Sequence, residues 1–302
     1  GDRSRLVAAF VFHPGYYADL YGHVLQVEKF RKTYERLLAA GVPEDAFLRP
    51  EEAKDEDILR VHTTEYLADM RSGNHTHRTR PSELPLSPEI VRWTFLAVGG
   101  TVLAAREALA MGLALNLSGG FHHAFPDCAE EFCYFNDLAV AVRALQAEGS
   151  ISRATVIDCD LHQGNGTAVI FKSDDSVFTF SIHQENIYPP KQRSDLDAGL
   201  SDLTGDRDYM EVIENHVPRI LDVHRPEIVL YQAGADPYGN DQLGTLKLSK
   251  EGLRRRDDFI LAECRRRGVP VAGTLAGGYA QNPEDTVDIH IQTAMAFREA
   301  RI

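Results

Sequence analysis

Apolar runs of strand length recur along the chain, at residues 6–12, 113–117, 154–157, 177–182, 227–232 and 269–275. Between them the spacing is helical, over residues 24–40, 55–61, 64–70, 88–111, 134–148, 167–171, 209–224, 249–267 and 284–301. In the first of these stretches Val24, Val27, Phe30, Tyr34, Leu37 and Leu38 fall on one helical face, and Gly41 stops the run. Pro88 suits a first helical turn, and Ser249 suits an N-cap. The strand runs are apolar throughout rather than alternating, as in a parallel sheet covered on both faces. The predicted fold class is therefore α/β: a single domain over residues 1–302, with a central, mostly parallel β-sheet and helices on both faces. Residues 71–87 and 184–204 show no periodicity and read as long loops, a length that usually signals function or mobility.

Composition narrows the setting. A chain of 302 residues can bury a sizeable core, and its net charge of −13 disfavours a nucleic-acid partner held through phosphates. The same charge mildly favours cationic substrates. The four cysteines form neither a C-x-x-C pair nor a disulfide framework, which points to a reducing compartment. No apolar run approaches the ~18 residues of a membrane span, and no signal-peptide pattern opens the sequence. A cytoplasmic protein with no membrane partner is the expectation; oligomeric state is left open.

The chemistry gathers where the strands end. The run at 154–157 continues into Asp158, Asp160 and His162, at alternate positions that point the same way in an extended chain. Gly164 and Gly166 are expected to let the backbone turn sharply after them. In open α/β sheets the carboxyl ends of strands are where ligands bind, and Asp with neutral His suits zinc. Three other runs end in the same way: 113–117 leads to His122 and His123, 227–232 to Asp236, and 269–275 to Gly277, Gly278 and Tyr279. Alone, each has a bland reading as a turn or strand end. Together, at successive termini of one parallel sheet, they predict a single site. His75 and His77 are read as surface histidines, because no acidic partner lies near them in sequence.

Five ordered segments carry a resemblance. They are Gly119-Gly120-Phe121-His122-His123-Ala124, Phe132-Cys133-Tyr134-Phe135-Asn136-Asp137, Asp158 through Thr167, Gly234-Ala235-Asp236-Pro237 with Asp241 and Leu243-Gly244, and Gly277-Gly278-Tyr279. In these the sequence resembles the histone deacetylase family of the arginase/deacetylase fold, and its bacterial and class IV-like members in particular. The resemblance implies a metal-dependent hydrolase that removes acyl groups, above all acetyl, from lysine in proteins or peptides or from a lysine-like amine. It implies Zn²⁺, or Fe²⁺ in vivo, on Asp160, His162 and Asp236. It implies His123 as general base and then acid, His122 as an electrostatic partner, and Tyr279 as oxyanion donor. Asp158 would stand behind His122, and Asn165 behind His123. Structural K⁺ would use oxygens of Asp158, Asp160, His162, Ser181 and Ile182, with a second site at Phe171, Asp174 and Val177. Phe132, Tyr188, Glu131 and Gly278 would contact the substrate. Cys133 and Cys159, near this site, are read as packing residues.

The sequence also departs from the family pattern. Glu131 stands where the family usually has Gly, which places a carboxylate at the rim and either favours a cationic substrate, narrows the entrance or points to solvent. The acid on the family's rim loop has no counterpart in residues 71–87, where only Glu83 is acidic. Asn165 replaces the Asp of some branches and should leave His123 less basic. Rival readings are an acetylpolyamine amidohydrolase, a long-chain fatty-acyl deacylase and a catalytically silent binding module. A ureohydrolase with two manganese ions would need more acidic ligands than the sequence offers.

Overall fold

The computed structural model describes residues 8–300. Leu6 and Val7 of the first expected strand lie outside the described residues. The strands are β1 (Ala9–Val11), β2 (Phe47–Leu48), β3 (Leu113–Asn116), β4 (Ala154–Asp158), β5 (Val177–Gln184), β6 (Leu196–Leu200), β7 (Ile228–Gln232) and β8 (Val271–Thr274). They form one sheet in the order β2-β1-β3-β8-β7-β4-β5-β6, and every neighbouring pair is parallel. Every residue of β3, β4, β7 and β8 is buried. Successive side chains on a strand face opposite ways, so both faces of the sheet are covered, as the apolar runs predict.

The helices are α1 (Glu28–Ala39), α2 (Asp55–Ile58), α3 (Thr64–Ser72), α4 (Pro88–Met111), α5 (Asp137–Ala147), α6 (Asn165–Ile170), α7 (Asp206–His224), α8 (Lys250–Arg266) and α9 (Pro283–Glu299). α4 coincides with its predicted span: Pro88 opens it, and Ser87 Oγ accepts from the Ile90 amide at 3.2 Å. By length and composition α4 could cross a membrane, but 61% of its apolar window is buried, and it packs on β1, β3, β8 and α5. It is a core helix. α1 begins at Glu28 rather than Val24, and Thr167 proves to lie inside α6, not at its start.

Two strands escape the reading of the sequence. β2 has two residues, too few to carry a pattern. β6 lies within the stretch 184–204, and its Leu-Asp-Ala-Gly-Leu contains the poor strand formers Asp and Gly. Pairing with β5, from Phe180↔Leu196 to Gln184↔Leu200, makes it a strand at the sheet edge.

The carboxyl ends of β4 and β7 are pinned from behind. Arg256 on α8 is fully buried, and its Nη1 donates to the carbonyl of Gly234 at 2.8 Å and to that of Cys159 at 3.3 Å. Asp257 balances this charge, its Oδ1 accepting from Arg256 Nε at 3.1 Å. A buried charge without such partners would be costly. The network fixes the two strand ends that carry Asp160 and Asp236.

Candidate active site

The strand order brings the chemistry together. β3, β8, β7 and β4 are successive neighbours, so the segments that follow them meet on one edge of the sheet. After β4 the extended path continues, with the Cys159 amide donating to the Gln232 carbonyl at 3.0 Å. Cys159 and Leu161 turn into the core, while Asp158, Asp160 and His162 share the other side. The sharp turn expected here forms at Gly164, where φ is −73° and ψ 66° and the Asn165 amide donates to Gln163 O at 2.9 Å; neither Gly164 nor Gly166 needs a positive φ for it. Space is the constraint instead: a Cβ on Gly164 would lie 2.3 Å from Asp158 Oδ2.

Asp160, His162 and Asp236 offer ligand atoms that all lie within 4.8 Å of one another, and all three residues are buried. His162 Nδ1 is 3.3 Å from Asp160 Oδ2 and 3.5 Å from Asp236 Oδ2. Gln232 Nε2 donates to Asp160 Oδ1 at 2.8 Å, and the Leu161 amide donates to Asp236 Oδ1 at 3.0 Å. Asp236 Oδ2 is buried with no hydrogen-bond partner, an orphaned acceptor of the kind a cation satisfies. Gly277 leaves the room: a Cβ there would meet Asp236 Oδ2 at 2.6 Å and Asp160 Oδ1 at 2.8 Å. The two buried carboxylates demand positive charge. Burial disfavours the His162 imidazolium, yet Asp160 and Asp236 outweigh it and raise that pKa to about 10. Burial, and then the charge of Asp160, lift the Asp236 carboxyl to about 6. The donor set fits a divalent cation.

His122 and His123 stand beside this cluster with different partners. His122 Nδ1 is 2.6 Å from Asp158 Oδ2, and its Nε2 is 3.6 Å from Asp160 Oδ2. His123 Nδ1 is 2.7 Å from Asn165 Oδ1. Burial opposes a charge on His122, but Asp158 and Asp160 overcome it and bring its pKa to about 9. Burial, reinforced by the neighbouring His122 and His162, holds His123 well below the usual histidine range. One imidazole therefore keeps its proton while the other is a free base. The backbone leading into the pair is held by Asp137 at the start of α5, whose Oδ2 accepts from the Gly120 amide at 2.9 Å and whose Oδ1 accepts from the Phe121 amide at 2.7 Å.

A cavity opens over these groups. His123, Asp160, His162, Glu131, Phe132 and Tyr279 are among its lining residues. The Phe132 and Tyr279 rings lie 5.9 Å apart, and Tyr188 stands edge-on to His123 at 5.6 Å. Tyr279 is placed by its backbone: its amide donates to Asp241 Oδ2 at 2.8 Å, and its carbonyl accepts from the Gln242 amide at 3.1 Å. The adjoining Gly278 has a φ of +157°. Ser181 lies opposite Asp158 in the sheet register, and its hydroxyl is 2.9 Å from His183 Nδ1. The Ile182 side chain is buried beside it. Phe171, Asp174 and Val177 sit apart from the cavity, in a turn where the Asp174 amide donates to Phe171 O and the Val177 amide donates to Asp174 O.

The histone deacetylase domain model matches residues 23–294. The chain belongs to the histone deacetylase family. Among relatives of this histone deacetylase family member, an uncharacterized protein of Picosynechococcus sp. is 40% identical over 294 residues, which is 96% of this chain and 98% of that protein. Histone deacetylase 2 of Arabidopsis thaliana is 30% identical over 272 residues, covering 86% of this chain and 70% of its own. In fold the chain is similar to the crystal structure of an HDAC homolog from Aquifex aeolicus, with a TM-score of 0.82 at 24% identity over 97% of this chain and 84% of the other. The family hydrolyses acyl amides in a metal-dependent way, and the buried Asp160, His162 and Asp236 could hold the metal.

Two residues of this histone deacetylase domain escaped the sequence reading, and the role of a third did. Gln232 ends an apolar run directly opposite Asp158 in register, a polar terminus that the pattern displays. Asp241 appeared only as part of a motif, without its role as acceptor for Tyr279. Lys29 on α1 gives no local signal, yet it is 2% exposed and its Nζ donates to Ala276 O at 2.7 Å, beneath the loop that carries Tyr279.

Proposed function

We propose that this protein is a zinc-dependent deacylase that cleaves the amide of an acylated lysine or a lysine-like amine, with acetyl as the preferred acyl group. The observation that carries the reading is the adjacent pair His122 and His123, one bonded to a carboxylate and the other to an amide oxygen, in one cavity with Asp160 and His162 of the Asp160, His162 and Asp236 cluster. Two carboxylates and one imidazole are a zinc-type set with open positions. When bound, the ion would supply Lewis-acid polarisation of the acyl carbonyl and activation of a water.

The side chains account for the remaining steps. Phe132 and Tyr188 offer flat walls for a thin alkyl stem. Neutral His123 accepts the proton of the attacking water as its oxygen bonds to the carbonyl carbon. It returns that proton to the amine nitrogen as the C–N bond breaks. His122 keeps its own proton and adds positive charge. Tyr279 donates its hydroxyl hydrogen to the oxygen on which negative charge develops, a role worth ~10²–10³ in rate elsewhere. Asp158 and Asn165 hold the two rings in place. Structural potassium is proposed at Asp158, Asp160, His162, Ser181 and Ile182, and a second ion at Phe171, Asp174 and Val177. Exchange of potassium for sodium should lower the melting temperature, and an unchanged melt would remove this assignment.

The test is turnover of acetyl-lysine peptides, acetylated polyamines and long-chain acyl-lysine peptides by metal-loaded protein, with Tyr279→Phe and His123→Ala beside it. Release that a chelator abolishes, and that falls at least about a hundredfold in both variants, is expected. Absence of release from every amide by fully loaded protein would defeat the deacylase reading in favour of a silent binder.

A further inference from the structure

Two segments meet beside the cavity. One is the tight turn at residues 130–133, where the Glu130 amide donates to Cys133 O at 3.0 Å and the Cys133 amide returns to Glu130 O at 2.8 Å. The Phe132 amide donates to Ser82 O at 2.8 Å, which ties this turn to the segment before α4. Phe132, which lines the cavity, is thus held by its backbone.

The other segment follows β5 and carries Tyr188. Lys191 Nζ donates to Ile187 O at 2.7 Å and to Pro189 O at 2.9 Å, on either side of it. Further along, Gln163 Oε1 accepts from the Gln192 amide at 2.9 Å, and Gln163 Nε2 donates to Asp197 Oδ1 at 2.8 Å. These bonds fix the backbone and leave the Tyr188 side chain to be placed separately. Its ring stands edge-on to His123, with 5.6 Å between centroids, and its hydroxyl donates to Glu130 Oε1. Burial first, and then that bond, raise the phenol pKa well above its usual range, so the hydroxyl stays a donor. No other group hydrogen-bonds the Glu130 carboxylate among the described residues. A tyrosine has two soft side-chain torsions, and anchoring its hydroxyl restricts both. Phe132 and Tyr188 are therefore tied to one turn, the first through backbone and the second through a single hydrogen bond.

We propose that Glu130 determines stem specificity by latching Tyr188 at a set spacing from Phe132, so that the channel accepts an unbranched alkyl stem and rejects a branched one. The proposal rests on the deacylase reading, in which these two rings flank the stem. Glu130 is a positioning residue that acts through Tyr188. Glu130→Ala removes the acceptor and Tyr188→Phe the donor, whereas Glu130→Gln keeps an acceptor oxygen.

Two measurements on zinc-loaded protein test it. The first compares kcat/KM for an acetyl-lysine peptide and for the same peptide with two methyl groups on the lysine γ-carbon. Wild type should prefer the unbranched stem by roughly a hundredfold, the scale on which a close-fitting apolar site resolves added methyl groups. Tyr188→Phe and Glu130→Ala should each cut that preference about tenfold, chiefly through a lower KM for the branched peptide. The double variant should do no more than either alone, and Glu130→Gln should stay within about threefold of wild type. A general weakening of the fold would lower both rates together and leave their ratio unchanged. The second measurement is calorimetric binding of N-hydroxyoctanamide and its 4,4-dimethyl derivative, whose hydroxamate group chelates zinc; the ratio of their Kd values should fall about tenfold in the same two variants. An unchanged ratio in Tyr188→Phe and Glu130→Ala, or additive effects in the double variant, overturns the proposal. If no peptide is turned over, the deacylase reading fails, and the hydroxamate pair still decides whether Glu130 sets the channel.

Discussion

Replacing Lys29 with Met should cost activity without costing stability. Lys29 Nζ reaches Ala276 O at 2.7 Å and Gly278 O at 3.5 Å, and it sits 5.6 Å from the centre of the Tyr279 ring. No carboxylate forms an ion pair with it among the described residues. Burial is the largest influence on it and lowers its pKa from 10.5 to about 8, against the attraction of Asp236, Asp160 and Asp241. A depression of that size corresponds to about 3 kcal/mol of penalty on the charged form. The folded pKa lies below the unfolded one, so the penalty is fully present below about pH 8 and vanishes as pH rises through the unfolded value of 10.5. Lys29→Met removes the penalty. It also leaves the Ala276 carbonyl without this donor, at roughly 1–3 kcal/mol, and loses about 1 kcal/mol of cation–π attraction. These terms nearly cancel, so at pH 7 the unfolding free energy should move by no more than about 1–2 kcal/mol.

Activity should not be spared. The loop that Lys29 holds carries Tyr279, and Ala276 within it has a φ of +57°, a strained position for alanine. A loosened loop forfeits part of the ~10²–10³ that an oxyanion donor provides. A fall in kcat of roughly ten- to a hundredfold is expected, with Lys29→Arg recovering part of it. Urea unfolding and steady-state turnover of the preferred amide, side by side, provide the assay. Wild-type kcat in Lys29→Met would refute the reasoning, and so would a loss of several kcal/mol in stability.

Asn165→Asp should move the acid limb of the pH–rate profile upward. Asn165 already raises the pKa of His123 through its hydrogen bond, against burial and the charges of His122 and His162, and a carboxylate would add attraction for the proton. His123 must be neutral to act as a base, so a higher pKa shifts the limb to higher pH; an unmoved limb contradicts the assignment of His123 as base. His62 predicts a window of acid instability. Burial lowers its pKa from 6.5 to about 4, while its Nε2 accepts from the Asn136 amide at 3.0 Å. Its folded pKa is depressed, so its stabilising effect is complete above pH 6.5 and is lost as pH falls towards about 4, some ~3 kcal/mol in all. Urea midpoints at pH 7 and pH 4.5 should diverge less in His62→Gln than in wild type, and an equal divergence would exclude His62 as the cause.

The sequence by itself determined the alternation of strands and helices, the parallel covered sheet and the residues that end the central strands. These are local properties. An apolar run without alternation reports burial on both faces, and an acid or histidine where it stops reports a strand terminus. α4 was legible to the residue because Pro88 and the following apolar stretch mark it locally. Asp160, His162 and Asp236 were legible through motif and position.

Strand order was not. β8 is the last strand in the chain, yet it inserts between β3 and β7, and that placement sets Tyr279 in one cavity with His123, Asp160 and His162. β6 exists because β5 offers its edge; nothing in its own composition favours a strand. The reason for Gly164 was equally hidden, since its constraint is the Asp158 carboxylate rather than its own φ. Lys29 reads as one more charged helix residue until α1 docks and buries it against the Tyr279 loop. Glu131 was visible as a departure from the family pattern, but the burial of its Oε2 without a hydrogen-bond partner among the described residues is a property of everything around it. Charge burial, close approach and strand neighbours depend on contacts between residues far apart in the chain, and those only the tertiary structure decided.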